Sequence, residues 1–133
     1  MLNVKANAQV FFSVKVDSFF NFKFKATLSA SDALNNNDFI TLQGNVGETI
    51  IIVDEQDKSI TMKFEDTIYV LDMLGHPNGN KSAYVYQYYE GNKLIVGQMS
   101  FVDGYTTGNK YVIAESEDPA DKTYTIAYIA KIK

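Results

Sequence analysis

Apolar and polar residues alternate with a period of two along most of this 133-residue chain, and the three-to-four spacing of an amphipathic helix is nearly absent. Val10, Phe12, Val14 and Val16 share one face, opposite Phe11, Ser13 and Lys15. Phe20, Phe22, Phe24, Ala26 and Leu28 then alternate with Asn21, Lys23, Lys25, Thr27 and Ser29. Ile60, Met62 and Phe64 repeat the pattern against Ser59, Thr61 and Lys63. Successive side chains leave a strand on opposite sides, so each run predicts a strand with one buried and one wet face. Residues 49–53 are apolar on both sides and predict a central strand covered on both faces. Further strands are predicted at 83–89, 93–102, 110–114 and 123–131.

Between these runs lie predicted turns: the polar segment 54–57, and 45–47, 75–80, 91–92 and 108–109, which carry Gly and Asn, residues that accept the positive φ of tight turns. One short helical turn is predicted at residues 31–36, with Ser31 or Asp32 as its cap and Asn35, Asn36 and Asn37 ending it. Strands at roughly ten-residue intervals with short turns predict a single all-β domain spanning residues 1–133. Its expected form is an antiparallel β-sandwich (jelly-roll or immunoglobulin-like) or a small closed barrel, of about 8–10 strands.

Composition agrees with a folded domain, at 46% apolar and 21% charged residues. Cys and Trp are absent, and all 12 cationic residues are lysines. The lack of Cys excludes disulfides, thiolate metal sites and cysteine nucleophiles. The lack of Arg removes the planar fork used for bidentate phosphate and carboxylate recognition, so double-stranded DNA is not an expected partner. The net charge of −4 is unevenly spread, with a basic start through residue 30 and an acidic stretch over 31–70. No targeting or membrane-spanning segment is legible: Lys15, Asp17, Asn21, Lys23 and Lys25 interrupt the apolar stretch at 10–28. The expectation is synthesis in the cytoplasm without an export signal.

Catalytic motifs are not apparent. His76 is the only histidine and sits in a turn cluster, which reads as an exposed loop residue, and no Gly-x-Ser-x-Gly elbow or phosphate-binding glycine loop occurs. The acidic loops at 54–57 and 115–121 offer carboxylates to calcium but lack EF-hand spacing, and solvated turns explain both. Carboxylates paired for glycoside hydrolysis have no support beyond their presence. Neither a catalytic set, nor a metal, nor a cofactor is therefore expected.

The aromatic residues are segregated. Seven of nine Phe lie at or before Phe39, and all nine Tyr at or after Tyr69. On a strand, Tyr84, Tyr86 and Tyr88 point to one face about 6.8 Å apart. Such a ladder stacks on bases, with Lys81, Lys93 and Lys110 at its border; or anchors an interface; or covers one sheet face inside the fold. With no reaction legible, the expected function is a non-enzymatic subunit that self-associates or docks on a scaffold, with Tyr84, Tyr86, Tyr88 and Tyr89 as interface. Abundant Lys, Asn and Ile without Arg resembles an AT-rich genome, so an accessory bacteriophage virion protein (capsid decoration, head fibre or tail component) is the concrete form of that expectation. Two alternatives stand beside it: a small-ligand-binding barrel, and a single-stranded nucleic-acid binder of OB-like shape. A ligand barrel needs small or polar residues pointing inward, and the Phe20, Phe22, Phe24 series weighs against it.

Overall fold

The computed structural model describes residues 11–42, 46–65, 67–103 and 110–133. Strand β1 (Phe11–Lys25) serves two neighbours on one edge. Its first half pairs with β3 (Val46–Asp54), and residues 21–23 pair with the short β2 (Ile40–Leu42). From β3 the chain runs as an antiparallel meander: β4 (Ser59–Lys63), β5 (Ile68–Gly75), β6 (Ala83–Glu90), β7 (Lys93–Asp103), β8 (Lys110–Glu117) and β9 (Tyr124–Ile132). Strand β9 then bonds to the other edge of β1 and closes the sheet. The fold is an eight-stranded closed barrel, and the β-sandwich alternative is corrected. Both architectures need the same alternation; β1 decides between them, because it reaches β3 with one half and β9 with the other.

That double role depends on a β-bulge. Val16 lies opposite Ile132 and Phe19 opposite Ala130, so three steps along β1 match two along β9. One extra residue bends a strand and reverses which faces its side chains take. Val16 accordingly belongs to the barrel interior, packed with Ile51, Met99, Val112 and Ala130, whereas Phe22 and Phe24 point out of the barrel. Uninterrupted alternation would carry all these even-numbered residues to the same side.

The expelled phenylalanines form a second core. Helix α1 (Ala30–Asn35) lies over them, with Ala33 buried against Phe22, Phe24 and Ala127 of β9. Phe22 stacks between Phe20 and Phe24 at 5.1 and 5.6 Å, and Phe39 meets its ring edge-on at 5.5 Å. The helix is short but well closed. Ser29, rather than Ser31 or Asp32, is its N-cap and accepts from the Asp32 N–H at 3.0 Å; Asn37 ends it in the left-handed region at φ 55°.

Two strands were not legible in the sequence. Strand β2 has only three residues, and β5 carries apolar residues on both faces, so neither alternates. The turns at 54–57, 75–80 and 91–92 fall where expected, and Gly91 closes the two-residue hairpin between Glu90 and Lys93 at φ 61°. Residues 77–79 form an added 3-10 turn. The turns at 45–47 and 108–109, and the first ten residues of the basic start at 1–30, lie wholly or partly outside the described residues. Among the described residues no helix is long and apolar enough to cross a membrane.

Phe22 has no exposed surface, whereas Phe20 is 36% exposed. Phe22→Ala is expected to cost about 3–5 kcal/mol in chemical denaturation through the cavity it leaves, and Phe20→Ala clearly less. Equal costs would mean that the outer core is not closed around Phe22.

Candidate functional site

An eight-stranded barrel has an interior just wide enough to be filled by side chains or to hold one small ligand. This barrel does one at each end.

The end bounded by the β3–β4 turn and the β5–β6 loop is filled. Ile51, Val53, Ile60, Met99 and Val112 are fully buried there, with Phe12 and Phe101 in edge contact at 5.2 Å. Tyr84 meets Phe101 edge-on and donates its hydroxyl to Glu55 Oε2 at 2.9 Å. His76 is not the exposed loop residue expected from its turn cluster. It is half-buried, its ring 4.8 Å from that of Tyr84, with Nδ1 2.9 Å from the Ala83 carbonyl and Nε2 3.4 Å from the same Glu55 oxygen. A carbonyl only accepts, so Nδ1 carries a proton and donates. Glu55, Tyr84 and His76 together plug this end, and Tyr84, at 2% exposure, lies beyond the reach of a substrate.

The opposite end holds a cavity of about 670 Å³. Its inner wall is Tyr86, Ala114, Ser116, Ile126 and Tyr128, and its far wall Met62, Phe64 and Leu71. Asn21 also lines it, because the bulge in β1 turns odd-numbered residues inward as it turns Phe22 out. The weight that the phenylalanine series placed against a ligand barrel is therefore removed. Those rings are outside, and the residue this strand sends into the cavity is a neutral amide.

Access comes from a parted seam. Strands β5 and β6 are in register only where residues 72–75 meet 85–87, with a bulge between Met73 and Gly75; residues 68–71 and 88–90 do not pair. The bulge raises the local twist and the two strands diverge beyond it. Tyr69, Tyr88, Tyr89 and Glu90, from the parted segments, form the rim.

The tyrosine ladder stands inside this wall. Tyr84, Tyr86 and Tyr88 point into the barrel: Tyr86 is 5% exposed, Tyr88 is half-buried, and their rings stack at 6.2 Å. Tyr89 alone of the four faces outward, at 68% exposure. The ladder thus stands as the cover of one sheet face inside the fold, and it offers bases no outer platform. Lys93, expected at its border, donates instead to the Pro119 carbonyl. Tyr86 needs Gly97, its partner on β7, since a Cβ there would stand 2.6 Å from both the Tyr86 ring and the Glu115 carbonyl. No sequence motif marks that dependence.

Burial raises the pKa of the interior phenols. It pushes Tyr128 up to about 12. It raises Tyr86 further, with Tyr88 and Glu115 adding to the effect and the Ser116 hydroxyl opposing it. Tyr88 rises by burial first and then by the nearby Glu90 carboxylate. Tyr84 rises by burial and by its bond to Glu55. Near neutral pH all four are uncharged hydroxyls.

In the acidic loops, Asp54, Asp118 and Asp121 bond within their own turns, while Glu55 reaches Tyr84. Asp54 accepts from the Asp57 N–H and Asp121 from Thr123, while Asp118, largely buried, accepts from the Ala120 N–H and faces Lys23 at 4.0 Å. Among the described residues no group of three or more His, Cys, Asp or Glu side chains converges on a metal position. No family model, curated protein or solved structure matches the chain.

The tyrosines give a pH dependence with a definite sign. Their folded pKa values lie above the unfolded value of about 10, so their contribution to stability is complete below that pH and is lost as pH rises toward the folded values. In an alkaline absorbance titration these four phenols are expected to ionise late, together with unfolding. Reversible ionisation of every tyrosine near pH 10 in the folded protein would contradict the burial described.

Proposed function

We propose that the protein binds a small molecule in the open half of its barrel. The observation that carries this reading is the 670 Å³ cavity opening through the parted β5–β6 seam, within the roughly 300–1,000 Å³ typical of ligand sites. Its lining has the composition such sites use: aromatic and aliphatic walls with a few placed polar groups, here the Asn21 amide and the Ser116, Tyr86, Tyr88 and Tyr128 hydroxyls. The filled end supports the same reading, because it supplies a rigid floor beneath the site.

A second reading is favoured by a separate observation. Ile68, Val70 and Leu74 of β5, Tyr89 of β6, and Leu94 and Val96 of β7 are all exposed on the outer wall, between 47% and 68%. A self-associating or scaffold-docking subunit, such as an accessory virion protein, would use such a strip.

The binding reading is tested with a neutral solvatochromic dye. Its emission is expected to rise on addition of the folded protein. Ala114→Leu, which fills the cavity from within, should abolish the rise, and Val96→Leu on the outer wall should leave it unchanged. Binding retained in a folded Ala114→Leu protein, or lost in Val96→Leu, would assign the dye to the outer strip instead.

A further inference from the structure

The charges around the mouth limit what can occupy it. Among the described residues that line the cavity, Glu90 alone carries a formal charge, and it stands on the rim. Its cross-strand partner Lys93 is drawn away to the Pro119 carbonyl. Lys23, on the same strand as Asn21, is held between Asp118 and the ring of Tyr124, 5.0 Å from that ring's centroid. Lys63 follows the outward alternation of β4 and is exposed. Among the described residues the cavity therefore presents one carboxylate and no lysine.

The ring geometry points the same way. Phe64 and Tyr69 meet at 5.7 Å and 89°, giving two walls at right angles on one side of the opening. Tyr88, stacked on Tyr86, forms the wall across the seam. Tyr69, Tyr88 and Glu90 all line this one cavity. Aromatic faces carry negative quadrupole potential and attract cations, more strongly where water is excluded. A carboxylate beside such faces adds a charge of the same sign and repels anions.

Resting on the binding reading above, we propose that the mouth is a site for a small organic monocation, an amine or quaternary ammonium group on an apolar body, seated against Phe64, Tyr69 and Tyr88 with its charge toward Glu90. The apolar body lies inward on Leu71, Ala114 and Ile126. Fatty acids and phosphorylated molecules are the classes this lining rejects.

Three probes of nearly one shape test the assignment by calorimetry: benzyltrimethylammonium, its uncharged isostere neopentylbenzene, and the anion phenylacetate. The cation is expected to bind about tenfold more tightly than the isostere, with phenylacetate weakest. Glu90→Gln, an exposed change in a hairpin, and Tyr69→Leu, on the half-open rim, should each reduce the cation's advantage and leave the isostere's affinity nearly unchanged. Isostere or anion binding as tightly as the cation would overturn the ligand class while leaving the cavity as a binding site. So would failure of all three probes when the neutral dye still binds. Failure of the probes and of the dye together would overturn both readings.

Discussion

One extra residue in β1 sets the character of this barrel. The strand is long enough to touch β3 on one side and β9 on the other, and the bulge after Val16 lets it do both. The same irregularity exchanges its faces. Before it, Phe12, Val14 and Val16 fill the interior; after it, Phe22 and Phe24 leave the interior and Asn21 enters. Had alternation continued unbroken, three large rings would occupy the space that is now a cavity. Closure of the sheet, its outer core under α1 and the emptiness of one end thus follow from a single local feature.

Stability and binding capacity are divided along the barrel axis. The filled end concentrates fully buried aliphatic side chains and an aromatic plug in which Tyr84 donates to Glu55 and His76 stands beside the same carboxylate. The open end gives up close packing, and its strands part at β5–β6. Unpaired backbone at a sheet edge is costly in an apolar interior and tolerable at a wetted rim, which is where the seam lies. Gly97 completes the division, since only a residue without a side chain lets Tyr86 lie across β7 as the inner wall of the cavity.

The all-β class, most of the strands, the short helix and the hairpin turns were legible, because period-two alternation and Gly/Asn turns are local properties of the chain. Strand β5 was not, for a reason that bears on function. Ile68, Val70 and Leu74 are apolar yet exposed, so the wet face that would reveal alternation is missing. Barrel closure was also beyond local pattern, because the residues that join β1 to β9 lie about a hundred positions apart. The tyrosine ladder was visible as an array on one face, but which face looks inward is decided by the partner strands. Phe64, Tyr69 and Glu90 carry no motif of their own, and only the fold brings the β4–β5 and β6–β7 turns to one end of the barrel. His76 looked like a surface loop residue, and only the fold supplies Glu55 and the Ala83 carbonyl as its neighbours.

The direction taken by two adjacent side chains tests this account most directly. In a nuclear Overhauser spectrum of the folded protein, the ring protons of Phe22 should show contacts to Ala33 and Ala127, and the Asn21 side-chain amide should show contacts to Tyr128 or Ile126. Contacts from Phe22 to Met62, Tyr86 or Tyr128 would place that ring inside the barrel, and the cavity, with everything built on it, would be gone.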